Sequence, residues 1–237
     1  MRLEARIREH AAAGVLSGPF AGMRYGDRSH GSVYLPKLLG TYELEVASIV
    51  RELIGRQFAT IVVAGAAEGY YAVGFARALP ESRVVAFEAS KAARDALLDL
   101  ATRNGVGERV ESRGICDARG LSSALDGPPP VLLVMDLDGA EATLLDPFVL
   151  PVLARLEMLV ELHDCFIEGV GDLVSRRFAA THEVRRIAQR RRSATDFRAP
   201  WIPASFYGAL EQAMSERRPA ANDWIHLRPR DQAGVEG

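Results

Sequence analysis

Residues 61–71 read Ile61-Val62-Val63-Ala64-Gly65-Ala66-Ala67-Glu68-Gly69-Tyr70-Tyr71. A short apolar run that ends at a glycine has the character of a buried strand followed by a sharp turn. Glycine there lets the chain reverse and lets a ligand approach the backbone, and Gly69 opens a helix whose first amides are electropositive. A polar group is expected against this turn, although a tight turn with no ligand would use the same residues. The dinucleotide fingerprint needs glycines at its first, third and sixth places, whereas Gly65 and Gly69 are four apart. The spacing disfavours NAD.

Outward from this unit, short apolar runs alternate with helical patterns from Ala59 onward, which is the signature of a mostly parallel sheet covered by helices on both faces. Strands are expected over residues 60–64, 84–87, 110–112, 131–136, 158–162, 184–188 and 224–227, giving a doubly wound, seven-stranded α/β sheet. Helices are expected over 69–78, 91–103, 141–145, 169–178 and 204–214, with Gly105 and Gly107 ending the second. Before the sheet, Leu3, Ile7 and Ala11 recur at helical spacing, residues 14–26 read as hairpin or loop, and residues 27–37 as an irregular segment. A further helix, from about Thr41 to Ile54, can be capped by Thr41. The chain therefore divides into an N-terminal extension over 1–57, able to act as a substrate lid, and a main domain over 58–237.

Composition narrows the partners. The 237 residues are 48% hydrophobic and 25% charged with a net charge of -2, so no global field draws the chain to nucleic acid or an anionic membrane. The most apolar stretch, 142–162, is broken by Asp146, Pro147, Pro151, Arg155 and Glu157 and cannot span a bilayer. Cys116 and Cys165 are the only cysteines and form no CxxC pair. With no apolar leader at the N-terminus, they point to a reducing, cytoplasmic setting and a small-molecule partner. The basic residues are nearly all arginine, Lys37 and Lys91 excepted, which reads as compositional bias without functional meaning. The basic cluster 185–192 reads as a solvated turn.

The carboxyl ends of the expected strands carry the candidate chemistry, because ligands of open α/β sheets bind outside those ends. Glu88 ends the second strand, where an acid either accepts both hydroxyls of a ribose or is simply solvated. Asp117 follows the third strand and either accepts from an adenine amino group or caps the next helix. The fourth delivers Asp136-Leu137-Asp138-Gly139-Ala140-Glu141, and alternation puts Asp136 and Asp138 on one side. Two carboxylates at the end of a buried strand are costly unless something cationic or hydrogen-bonding meets them, the bland alternative being a solvated Asp136 and a capping Asp138. The fifth ends Glu161-Leu162-His163-Asp164, with Glu161 and His163 on one face. His163 is either a general base whose tautomer Glu161 or a backbone carbonyl fixes, or a structural histidine beneath the site. Asp136, Asp138, His163 and Asp164 could together hold a divalent ion, but they match no ligand set of known spacing, and no metal is assigned.

On these residues the chain resembles the FkbM-type methyltransferases, a family of the seven-stranded, Rossmann-like fold that uses S-adenosyl-L-methionine. The likeness runs from about Thr60 to His163 and rests on the glycine turn, Ala86-Phe87-Glu88, Asn104-Gly105, Asp136 to Glu141, and Glu161 to Asp164. It implies cofactor contacts at Gly65, Ala66, Glu68, Gly69, Tyr70, Glu88, Asp117 and Asp136, with the glycine-loop amides cradling the methionine part. It also implies methyl transfer to an oxygen of a small metabolite, with S-adenosyl-L-homocysteine as product. His163 and Asp136 are the expected catalytic residues, and His30, Tyr34, Tyr42, Asp138 and Asp164 the expected substrate contacts, Tyr34 and Tyr42 being equally readable as packing residues. Val63 stands where the family usually has Asp, which either weakens cofactor binding or moves that residue's task to Glu68 or Asp136, and keeps open a non-catalytic member of the fold. Ala67 and Val134 replace a family Asn and Lys.

Overall fold

The computed structural model describes residues 3–218 and 222–230. Among them the extension begins with α1 (Leu3–His10), which buries Leu3 and Ile7 as the spacing predicts. Residues 14–26 fold back on themselves, the Val15 amide donating to Met23 O at 2.8 Å and the Gly22 amide to Val15 O at 2.7 Å. The segment read as irregular ends in a short helix, α2 (Tyr34–Leu39). Pro36 is tolerated in its first turn, and Leu38 and Leu39 hold it by packing against Leu3, Ile7, Leu210 and Met214. Thr41 caps no helix: Glu43 adopts a left-handed φ of 47° and interrupts the run, so α3 starts only at Ala47 (Ala47–Ile54). Ile49, Val50 and Leu53 of α3, with Phe20 and Met23 of the folded-back loop, pack into the same core as the sheet.

The sheet consists of β1 (Thr60–Ala64), β2 (Arg83–Phe87), β3 (Val110–Arg113), β4 (Val131–Met135), β5 (Glu157–Glu161), β6 (His182–Ile187) and β7 (Trp224–Pro229). Its order is β3-β2-β1-β4-β5-β7-β6, with β7 antiparallel to both neighbours and the other pairs parallel. Alternation sorts the side chains onto two cores. Ile61, Val63, Val84 and Val134 face α3, α4 (Tyr70–Ala78) and α5 (Lys91–Arg103). Val62, Ala64, Val85 and Leu133 face α6 (Ala118–Leu125), α7 (Glu141–Leu144) and α8 (Val170–Phe178). Helix α9 (Tyr207–Met214) packs on α1 and α2, closing the extension against the C-terminal part of the chain.

Of the basic cluster, Arg185 and Arg186 lie in β6, within the expected strand, and Arg190 and Arg191 are exposed in the loop after it. Arg192 departs from the solvated reading, its side chain buried between Glu45, at 2.6 Å, and Glu216. Among the described residues no helix is long and apolar enough to cross a membrane. The strand order reverses between β1 and β4, and parallel strands diverge there to leave a crevice beyond their carboxyl ends.

Candidate active site

That crevice is a cavity of about 750 Å³, walled by the turn after β1, the ends of β2, β4 and β5, and the 30–42 part of the extension. The turn is shaped by a close approach. Gly65 has φ +84°, and a Cβ there would lie 1.6 Å from the Asp136 carbonyl oxygen, so only glycine lets β1 turn against the end of β4. Gly69 (φ +98°) then starts α4.

The loop amides do not form the expected open cradle. Gly65 and Ala66 both donate to Phe87 O, at 3.0 and 2.8 Å, Gly69 donates to Ala66 O at 2.8 Å, and Ala67 donates to Glu88 Oε2 at 2.9 Å. These four donors are spent inside the protein. Glu88 also accepts from the Ser90 amide through Oε1 at 2.7 Å, so each carboxylate oxygen holds one backbone donor and keeps a lone pair toward the cavity it lines. Asp117 is turned away: its Oδ1 accepts from the Gly120 amide at 2.7 Å and caps α6, which satisfies the capping reading rather than the adenine one.

At the other end of the cavity Asp136, Asp138, Glu161 and His163 come together, although β4 ends at Met135 and β5 at Glu161, and Asp138 stands in a turn with φ +50°. His163 is 2% exposed, with Nε2 3.5 Å from Asp136 Oδ1, 3.4 Å from Asp138 Oδ1 and 3.9 Å from Glu161 Oε2. Its orientation comes from the last residue of the fourth-strand motif, to which the sequence assigned no role in the site. Nδ1 donates to Glu141 Oε1 at 2.9 Å, and the same oxygen accepts from the Leu137 amide at 3.1 Å. Glu161, expected to share this task, is instead held by Arg218. Asp136, Glu161 and His163 each offer an atom within 4.8 Å of the others, as a divalent ion would require, but the Arg218 guanidinium already stands against Glu161 as its counter-charge. Asp164 belongs to neither set, since it faces the Gly171 amide at 3.4 Å and Arg186 at 3.9 Å.

Electrostatics follow from this crowding. Burial first, and the Glu43 carboxylate second, push the Asp136 carboxyl up to about 7, with His163 and Arg218 pulling the other way. Burial alone would lower the His163 imidazole, but the hydrogen bond to Glu141 and the charges of Asp136, Glu141 and Asp138 carry it above its ordinary value. Each group thus favours the charged form of the other, and Asp136, with its side chain 33% exposed, is the more open of the two toward the cavity that both line. Burial also pushes the Cys116 thiol up to about 12, which leaves it protonated in the wall.

The extension supplies the roof. His30 and Tyr42 line the cavity as expected, whereas Tyr34 does not, its hydroxyl donating to Gly26 O at 2.6 Å while Arg8 lies over its ring at 4.6 Å. Glu68 lies behind the glycine turn, accepting from Tyr25, from Ser29 and the His30 amide at 2.9 Å each, and from Lys37 at 2.5 Å. Lys37, Glu216 and Arg218 were not among the expected site residues. Lys37 had one visible signal, as one of two lysines in an arginine-rich chain. The other two meet across the fold, Arg218 pairing with Glu216 and with Glu43 of the expected lid segment, and no local spacing announces them.

No protein-family model matches the chain, and no curated protein matches it. Solved structures do match in shape. A Klebsiella pneumoniae protein assigned as an O-methyltransferase superposes with a TM-score of 0.51 at 13% identity, covering 81% of each chain. The precorrin-6Y C5,15-methyltransferase of Geobacter metallireducens gives 0.51 at 12% identity over 78% of this chain and 90% of that one. A domain from Corynebacterium diphtheriae, assigned the same precorrin activity, gives 0.50 at 17% over 81% and 98%. At these identities the likeness is one of architecture: the chain carries the seven-stranded, doubly wound fold seen in these methyltransferase structures.

Proposed function

We propose that the protein is an S-adenosylmethionine-dependent methyltransferase, FkbM-like in its motifs, that methylates an oxygen of a small metabolite and releases S-adenosylhomocysteine. The observation that carries this reading is the convergence of the glycine turn, Glu88 and the Asp136–His163 pair on one cavity at the switch point of a methyltransferase fold. The residues fit the cofactor's parts. Glu88 has two oxygens with lone pairs free for a vicinal diol, and Ile115 and Cys116, lining the cavity beyond it, offer an apolar wall to a base. The bound cofactor supplies the methyl group on a sulfonium.

What the chain supplies is alignment and a proton acceptor. The ionised Asp136 carboxylate takes the acceptor hydroxyl's proton, and His163, held by Glu141, stands behind it as counter-charge and second proton site. Tyr42, Arg218 and Phe166 bound the space in front of this pair.

Calorimetry and thermal shift with S-adenosylmethionine, S-adenosylhomocysteine and NAD test the reading. Binding of the first two without NAD is expected, as is recovery of either by mass spectrometry of the purified protein. No heat and no shift at millimolar S-adenosylmethionine would overturn it.

A further inference from the structure

A buried lysine in the cavity wall has fewer acceptors than donors. Lys37 is 2% exposed, and among the described residues Glu68 Oε1 is the one acceptor its ammonium reaches. The rest of the head meets ring faces, lying 4.7 Å from the centre of Tyr42 and 5.6 Å from that of Tyr70. Cation–π contact offsets part of the desolvation, but a buried ammonium with unused N–H groups remains costly.

A role as mere counterion to Glu68 does not account for this position. Tyr25, Ser29 and the His30 amide already give Glu68 three neutral donors, spread over both carboxylate oxygens. Burial works against its charge, yet Lys37, Tyr25 and the His30 amide bring its pKa below the usual carboxylate value. The residues around the ammonium are Tyr42 and Tyr70, both cavity-lining, beside the glycine turn whose amides at 65, 66, 67 and 69 are already used. These four turn amides are thus not available to an anion, and Lys37 adds a cation at that end of the cavity.

We infer that Lys37 is the anchor for the α-carboxylate of the cofactor's amino-acid end, bound between Tyr42 and Tyr70 above the Lys37–Glu68 pair. The inference rests on the proposed S-adenosylmethionine reading. It orients the cofactor, with the amino-acid end under the extension and the ribose toward Glu88. It also makes the extension part of the cofactor site, since Lys37 comes from α2.

The test compares S-adenosylhomocysteine with 5′-methylthioadenosine, which keeps the nucleoside and thioether but lacks the amino acid. Wild-type protein should bind the former more tightly. Lys37→Met should weaken S-adenosylhomocysteine binding about tenfold or more, the scale of a lost charge-assisted hydrogen bond, while 5′-methylthioadenosine changes by less than about twofold. If the single variant does not fold, Lys37→Met with Glu68→Gln removes both buried charges and is measured instead. Equal wild-type affinities for the two ligands overturn the inference, as does a variant that weakens both by the same factor or neither. A wild type that binds neither ligand removes the cofactor reading itself, and this inference with it.

Discussion

Gly65→Ala isolates the contact that brings the glycine turn against the end of β4. The added methyl would sit 1.6 Å from the Asp136 carbonyl oxygen, so the two segments must part by more than an ångström to reach ordinary contact distance. Parting them strains the Gly65 and Ala66 bonds to Phe87 O and the Asp136 amide bond to Ala64 O, each worth about 1 kcal/mol. A left-handed alanine adds about 1 to 2 kcal/mol, for an expected loss of about 3 to 5 kcal/mol in urea unfolding. Gly105→Ala is the matched control, because Gly105 has φ +68° with nothing within 4 Å of its would-be Cβ, leaving only the conformational cost of about 1 to 2 kcal/mol. The same displacement moves the cofactor turn relative to Asp136, so Gly65→Ala should also lose S-adenosylhomocysteine affinity while Gly105→Ala retains it. The reasoning is refuted if the two variants unfold within about 0.5 kcal/mol of each other, the margin expected for unrelated sites.

Glu88→Ala should weaken S-adenosylhomocysteine binding by about 1 to 3 kcal/mol through loss of the diol acceptor, and unchanged calorimetric affinity would reassign Glu88 to holding the Ala67 and Ser90 amides. His163→Gln should slow methyl transfer on the order of 100-fold with cofactor affinity nearly intact. Because His163 holds the Asp136 pKa down, the variant's rate should also rise with pH at an inflection above the wild-type value of about 7, and an unmoved inflection would make the ring a packing group. Glu216 is pushed up to about 7 by burial and by Glu43, so the folded chain keeps a proton that the unfolded chain releases at lower pH. Its contribution to stability therefore declines as pH rises from the ordinary carboxylate range through about 7. Glu216→Gln should accordingly gain on wild type between about pH 5 and about pH 8 in urea unfolding, and a pH-independent difference would contradict the assignment.

The strand ends were legible because they need only two local rules, alternation along a strand and binding at the carboxyl edge. Asp136, Glu161 and His163 converge for that reason. The end of helix α5 was legible for a similar one, Gly105 taking a left-handed φ just past it, whereas its Ser90 cap, which accepts from the Ala93 amide at 3.3 Å, was not read from the sequence. Helix α2 was not, because six residues containing Pro36 have little local preference for helix and take it up where Leu38 and Leu39 meet α1 and α9. Asp117 admitted two roles on its sequence, and geometry chose the cap. Glu141 stood in the fourth-strand motif without a role, because a glutamate opening a helix is ordinary and its bond is to His163, 22 residues on.

The least legible part is what sets the proton affinity of the dyad. The side chains of Glu43, Glu45, Glu161 and Glu216 are buried, and among the described residues Arg192 and Arg218 are the guanidiniums paired with them, so four carboxylates face two guanidiniums. The surplus negative charge has to be felt by whichever acids can still take a proton. Asp136 and Glu216 are both displaced to about 7, with Glu43 the largest charge contribution in each case after burial. Glu43 reaches this position because its left-handed backbone ends one helical run and aims its side chain inward, where Tyr71 donates to it. Glu141 acts on His163 from beneath in the same sense, raising the imidazole as Glu43 raises the carboxylate. The sheet therefore places Asp136 and His163, while Glu43 of the extension and Arg218 of the 215–218 segment supply charges that shift the Asp136 carboxyl in opposite directions. A change at Glu43 should then move the dyad's titration without touching the cavity wall that Asp136 and His163 form.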